Sequence, residues 1–432
     1  MEYDIKEFDE IRPYEAGEMK QAFNDLLNDR QFSVMLKGFV PWLPKSLRNG
    51  LLKLAFTGVK TPLDFQMRFM KPIVWHIIHK HTDGCTFNDS GLKFCSKQDD
   101  RYTFVSNHRD IVLDSAFLDV MLVKQGYPTT VEIGIGDNLL IYPWIKRLVR
   151  MNKAFTVRRG LTPHEVLRSS QLMSRYIHYA VTQKHENIWI AQREGRAKDS
   201  DDRTQESVMK MLAMGGPVNN GECRTESVEF ATAIEGSANS TAAANSTLYT
   251  LNSTLISSIK ELNIVPLTIS YEYDPCDYLK AQEFQQKRDN PAFKKSRQDD
   301  LDNMKTGIFG YKGRVTYCCA APINSWIDEL KDFPRNEFFA KLCERMDQEL
   351  HRNYTLYPCN YIALDILEHS GVSNDSVHYT SADCQRFEQY LQQQLSKITI
   401  PNKDEAFLRE RMLTMYANPL RNYLKVKTAV SD

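Results

Sequence analysis

Arg101-Tyr102-Thr103-Phe104-Val105-Ser106, running straight into Asn107-His108-Arg109-Asp110-Ile111-Val112-Leu113-Asp114, decides how the chain is read. The first part reads as a strand, and a helix follows with Ile111, Leu118 and Met121 on its apolar side. The alternation continues outward: Thr129 to Ile133, Lys153 to Val157, Asn187 to Ala191, Ile264 to Ser270 and Arg314 to Cys318 read as further strands. Thr162-Pro163-His164-Glu165 is a capping box with proline at the first helical position, and Val166, Met173, Ile177 and Val181 then repeat at helical spacing. Strands alternating with helices predict an α/β fold, with a mixed, mostly parallel central sheet flanked by helices. Pro266 inside its strand suits an edge or a bulge, because proline cannot donate to a ladder.

Either side of this core the pattern changes, and three regions are expected: 1–97, 98–325 and 326–432. Between residues 33 and 81, Lys37, Lys45, Arg48, Lys53, Lys60, Arg68, Lys71 and Lys80 face the single acid Asp64, interleaved with Trp42, Leu51, Leu54, Phe69 and Trp75. Basic residues and tryptophan beside short apolar stripes suit a helix lying in a membrane interface, and equally an amphipathic hairpin packed on the main domain. Several basic residues near an anionic leaflet, each worth about 1 kcal/mol, would hold the protein there. Residues 217–258 include the low-complexity run Gly236-Ser237-Ala238-Asn239-Ser240-Thr241-Ala242-Ala243-Ala244 and read as a flexible surface insertion. After Pro322 the chain reads as helical, with Phe338, Leu342, Met346 and Leu350 as a core stripe.

Composition narrows the function classes. The 55 Lys and Arg balance the 55 Asp and Glu, so no whole-molecule field draws in nucleic acid. Nine cysteines without a Cys-x-x-Cys pair show no disulfide framework, which fits a reducing compartment. His76, His79 and His81 crowd together without a carboxylate or thiol at ligand spacing, so no metal site is expected. The polar, acidic start is unlike a secretory signal, and no run of about eighteen apolar residues is long enough to span a membrane. The expected location is the cytoplasmic face of a membrane, as a peripheral protein.

Chemistry-bearing residues gather where the strands end. His108 stands at a strand-to-helix corner, where a histidine acts as a general base if a carboxylate fixes its tautomer. Asp114 is the first candidate for that carboxylate and Asp110 the alternative, and either could instead cap the helix. His108-Arg109-Asp110 also matches part of a protein-kinase catalytic loop, but position 115 is Ser and no Asp-Phe-Gly occurs. Other strand ends carry Arg158-Arg159 and Gln192-Arg193-Glu194-Gly195-Arg196. Arginine forks grip phosphate at two points, although a lone arginine at such a place is more often a structural ion pair.

In this order the segments resemble the four motifs of the glycerolipid acyltransferase superfamily, which includes glycerol-3-phosphate and lysophosphatidate acyltransferases. The first motif is similar to Asn107, His108 and Asp114, the second to Phe155-Thr156-Val157-Arg158-Arg159, the third to Glu194-Gly195-Arg196 and the fourth to Ile264-Val265-Pro266-Leu267. The resemblance covers roughly residues 98 to 325. Two departures stand out. Five residues separate His108 from Asp114 where the family usually has four, so that Leu113 holds the usual place. The third motif lacks its usual Thr, leaving Arg193 and Arg196 as alternatives for its functional arginine.

The resemblance implies an acyltransferase in which His108 takes a proton from an acceptor hydroxyl, which attacks the thioester of acyl-CoA or acyl carrier protein. Asp114 would orient His108, while Asn107, Arg158, Arg159, Arg193, Glu194, Gly195, Arg196 and Pro266 would shape the acceptor site. The implied acceptor is glycerol 3-phosphate or its 1-acyl derivative, with no metal or bound cofactor, and the implied partners are the acyl carrier and a phospholipid surface. An acceptor without phosphate, such as an amino-acid lipid, and a catalytically silent membrane-binding protein of the same fold are the alternatives. The chain-length ruler would be an apolar groove lined partly from residues 33 to 81.

Overall fold

The computed structural model describes residues 3–39, 41–215, 253–368 and 377–429. Seven strands form one sheet: β1 (Cys85–Asn88), β2 (Thr103–Ser106), β3 (Val131–Gly136), β4 (Ala154–Val157), β5 (Asn187–Ala191), β6 (Ile264–Tyr271) and β7 (Val315–Cys319), in the order β1-β7-β6-β2-β5-β3-β4. The five strands from β6 to β4 run parallel. At the other edge β7 is antiparallel to β6, and β1 is parallel to β7. The protein is therefore an α/β protein with a mixed, mostly parallel sheet. Its parallel strands direct their carboxyl ends to one edge, where ligand sites of open α/β sheets lie.

Alternate residues of each strand enter opposite cores. Val105, Phe155 and Ile188 pack on one face with Tyr176, Ile177, Phe338, Leu342 and Met346. Phe104, Ala154 and Trp189 pack on the other with Leu113, Phe117, Leu118 and Met121. Both faces are thus covered, as the alternation of strands and helices requires. The predicted stripe of Phe338, Leu342, Met346 and Leu350 is wholly buried on the helix Arg335–Arg352.

Four expectations are corrected. The sheet begins at β1, ahead of the predicted boundary at residue 98; this strand is four residues long and buries only every second side chain, too slight a pattern to stand out. Residues before 98 join the α/β unit elsewhere too, because Phe8 and Ile11 lie in its core and Ile11 O accepts the Thr156 N–H (2.9 Å) along the β4 edge. The strand containing Pro266 is interior, lying between β2 and β7. Ala320 N–H donates to Pro266 O, so residue 266 turns its backbone toward β7 at the last rung, where one missing donor is tolerated. The insertion expected at 217–258 lies mostly outside the described residues, but 253–261 is helical and places Ile256 and Ile259 in the core.

The basic region folds as the helices Arg30–Phe39 and Lys45–Phe56, a short Pro62–Phe65 helix, a π-helical turn at Gln66–Met70 and the helix Lys71–His81. Phe32, Phe56 and Phe65 pack inward with Phe23, Leu26 and Met151. On the outside, Trp42 is 77% and Leu54 70% exposed, with Val34, Leu47 and Leu51 also open to solvent. Packing on the domain and an unburied apolar stripe thus coexist. Among the described residues, no helix is long and apolar enough to cross a membrane.

Candidate active site

The chain leaves β2 at Ser106 and re-enters regular structure at Leu113, the first residue of the helix Leu113–Lys124. Asp110 Oδ1 accepts the N–H groups of Val112 and Leu113, both at 2.8 Å, and so caps that helix. Asp114 therefore stands in the first turn, and its carboxylate reaches back over the loop. Asp114 Oδ2 lies 2.7 Å from His108 Nδ1 and accepts the Arg109 N–H at 2.7 Å and the Asp110 N–H at 3.1 Å. The Tyr271 hydroxyl approaches its other oxygen at 3.4 Å. The two aspartates thus divide the roles that spacing left open: Asp114 partners the histidine and Asp110 caps.

The longer spacing has a physical reason. Leu113, at the place where four intervening residues would put the acid, is buried among the side chains under the sheet. The extra residue lets Asp110 close the capping turn while Asp114 faces the loop. The Asp114 side chain is 1% exposed and that of His108 14% exposed. An ionised carboxylate only accepts, so Nδ1 carries the proton in the His108–Asp114 bond and Nε2 of the neutral ring is the basic nitrogen. Trp189 meets the imidazole edge-on at 5.7 Å between centroids, and its own Nε1–H donates to Ser106 Oγ (3.0 Å). The wall beside the base is therefore fixed.

Further ends of the parallel strands carry the arginines, Arg193 and Arg196 after the adjacent β5 and Arg158 and Arg159 after β4 at the edge of the sheet. Ser106 of β2 is in register with Ala191 of β5, so His108 and the Gln192–Arg196 segment leave adjacent strands at the same edge. Gly195 adopts φ +70°, a left-handed conformation that glycine takes without strain. Arg159 Nη1 pairs with Glu194 Oε1 at 2.5 Å, linking the ends of β4 and β5 across β3, and Arg158 pairs with Glu10. Arg159 also lies over Gly136, where a Cβ would sit 2.6 Å from its Nε. Both arginine pairs are largely solvent-exposed and so contribute about 0.2–1 kcal/mol each.

Other predicted site residues are differently employed. Asn107 is fully buried: its Oδ1 accepts the Ile269 N–H (2.7 Å) and its Nδ2 donates to Ile269 O (2.9 Å), prolonging the β2–β6 pairing by one side chain. Pro266 is buried opposite Val105, within the sheet and away from its carboxyl edge. The structure brings neither to the surface that holds His108. Arg196 turns inward, donating to Asn303 Oδ1 at 2.9 Å. Burial opposes its charge, but Cys276, Asp274 and Asp110 outweigh that and raise its pKa. Arg193 Nε and Arg196 Nη1 are buried donors without a hydrogen-bond acceptor among the described residues.

Beneath the loop lies a charged layer that sequence reading did not find. Arg109 donates from Nη2 to Asp202 Oδ2 at 2.7 Å, and the same oxygen accepts the Tyr354 hydroxyl at 2.6 Å. Lys312 is fully buried, caps the helix Arg297–Phe309 through Gly310 O (2.7 Å), and is pushed down to about 8 by burial, against the pull of Asp110, Cys276 and Asp274. These partners lie far apart along the chain, and only the place of Asp202 in the loop that follows β5 could have hinted at them. Among the described residues, no group of His, Cys, Asp or Glu is arranged to hold a metal ion. A scan against protein-family models finds no match for the chain, and a search of curated proteins finds no significant match.

Proposed function

We propose that the protein transfers an acyl group from a thioester to the hydroxyl of a glycerol phosphate or its monoacyl derivative. The observation that carries this reading is the His108–Asp114 pair at 2.7 Å on the carboxyl edge of the parallel strands, with Glu194 after the adjacent β5 and its exchangeable partner Arg159 after β4, further along the same edge. His108 Nε2 takes the acceptor's proton as its oxygen bonds to the thioester carbonyl carbon. The tetrahedral adduct collapses, the carbon–sulfur bond breaks, and the leaving thiolate takes the proton back from the imidazolium. Asp114 stabilises the imidazolium in between.

The weak pairs of Arg158 and Arg159 suit an acceptor phosphate. Exchanging a solvated carboxylate for a phosphate costs at most about 1 kcal/mol and gains a more highly charged, two-point partner. Arg193 Nε is a further donor in need of an acceptor. Trp42, Leu47, Leu51 and Leu54, with Lys37, Lys45 and Lys53 around them, form the surface that would rest on anionic lipid.

Purified protein should move a labelled acyl group from acyl-CoA or acyl carrier protein to one of a panel of glycerol phosphates and lysolipids, and His108→Ala should not. Transfer to an amino-acid lipid alone would replace the acceptor in this reading. No transfer to any acceptor, with His108 intact, would overturn it.

A further inference from the structure

The C-terminal helices reach the loop that follows β5 and grip it at several points. Gln205 N–H donates to Gln192 O at 2.9 Å, closing the loop at its base. Asn418 Nδ2 donates to Asp199 O (2.8 Å), Asn422 Nδ2 to Asp201 Oδ1 (3.1 Å) and His351 Nε2 to Asp202 O (2.8 Å). Asp347 Oδ1 accepts both the N–H and the hydroxyl of Thr204 at 2.7 Å. Inside this grip Asp202 is fully buried, and its Oδ2 collects Arg109 Nη2 (2.7 Å), the Tyr354 hydroxyl (2.6 Å) and Asn107 Nδ2 (3.2 Å).

Two of those donors flank the base. Arg109 follows His108, and its backbone N–H is one of the bonds that hold the Asp114 carboxylate. Its side chain is anchored at Asp202 and at Ile269 O (3.3 Å), so Arg109 is fixed at both ends. Asn107 precedes His108 and is tied to Asp202 and Ile269. The residues before and after the histidine thus share one anchor, which the C-terminal region holds from behind.

The geometry points to Asp202 as a positioning residue for the His108–Asp114 pair, and to the C-terminal helices as the part of the fold that sets it. Asp202 touches neither ring nor substrate: it fixes Arg109 and Asn107, and through them the corner on which His108 stands. The inference rests on the acyl-transfer reading for its kinetic consequence, but the geometric link can be measured without turnover.

The test compares Asp202→Asn, Tyr354→Phe and His108→Ala in the full chain. Asp202→Asn keeps the size and removes the anion, and its kcat should fall about a hundredfold, the scale of a 1 Å displacement of a catalytic group. Its acceptor KM should change less than about twofold, and the acid limb of its pH–rate profile should move. Tyr354→Phe, which retains the Arg109–Asp202 pair, should lose a smaller factor with a profile displaced in the same direction. By NMR the downfield Nδ1–H proton of His108 should shift in Asp202→Asn while thermal unfolding stays cooperative. If Asp202→Asn does not fold, Tyr354→Phe decides: wild-type kcat, pH profile and Nδ1–H resonance overturn the proposal. An unshifted resonance with wild-type kcat in a folded Asp202→Asn overturns it equally. Full activity in His108→Ala would instead sink the acyl-transfer reading, leaving the resonance to judge the positioning role alone.

Discussion

Asp114 receives His108, two backbone N–H groups and a tyrosine hydroxyl inside the protein, whereas Arg158 and Arg159, at the same edge of the sheet, each hold one carboxylate in solvent. Removing one partner of a buried, hydrogen-bonded charge costs about 3–5 kcal/mol, while an exposed pair is worth about 0.2–1 kcal/mol. The first arrangement tolerates little change and the second exchanges partners readily. A reacting group needs one geometry, and a binding group needs to let go of its resting partner when a ligand arrives. The contrast explains why one edge of the sheet can carry both.

The sharpest way to break this contrast is His108→Ala, which should lower acyl transfer by about a hundred- to ten-thousandfold while thermal unfolding stays cooperative at a lower Tm; an active variant would mean that the rigid loop is structural only. Next comes the pair of aspartates. Asp114→Asn should cost about as much rate, by releasing the ring and its tautomer. Asp110→Ala should instead cost about 0.5–2 kcal/mol of stability as a lost cap, seen as a lower Tm with kcat within a few-fold. Equal kinetic losses in both would erase the division of roles. On the exchangeable side, Arg159→Ala should raise the acceptor KM about tenfold and leave kcat nearly unchanged, read from initial rates against acceptor concentration. A kcat loss without a KM change would move Arg159 into the rigid class.

A smaller effect sharpens the comparison within one helix. Asp119 lies on the same helix as Asp114 but, among the described residues, receives only Val131 N–H (2.9 Å) and Gln66 Nε2 (3.2 Å), and burial raises its carboxyl to about 7. A carboxyl whose folded pKa exceeds its unfolded value favours folding at low pH. That contribution is lost as pH rises from about 4 through 7, at up to about 1.4 kcal/mol per pH unit. Asp119→Asn should therefore flatten the fall of Tm between pH 4 and 7. An unchanged slope would show that Asp119 is ionised in the folded protein.

Much of this edge was legible in the residues themselves. The interior strands announced themselves because each is a short apolar run between polar corners, and those corners fall on the carboxyl edge, where open α/β sheets carry ligand sites. His108, Glu194 and Arg159 could be found from that alone. Asn107 could not be told from a ligand-facing amide, because its use depends on how far β6 runs beside β2. Asp202 lay in an acid-rich run that reads as surface, and its burial is decided by Tyr354, 152 residues further on. Pro266 was misread as marking an edge because proline's constraint concerns one rung of one ladder, and that rung proved to be the last. Leu113 and Asp114 show the same limit at short range: a one-residue difference in spacing was visible, but the capping turn that absorbs it was not.

The pairing of β1 with β7 joins residues 230 positions apart, as the hydroxyl contact of Thr86 with Thr316 marks. At about 5–20 residues per second of synthesis, roughly 10–50 s separate the emergence of these two strands. The chain must therefore carry an unpaired, half-apolar strand through about half of its own production, until after β2 has met both of its partners, β5 and β6. Completion of the sheet waits on β7, the strand that bridges β1 to the rest, and during that interval the nascent β1 is where a stray strand or a chaperone would first find purchase.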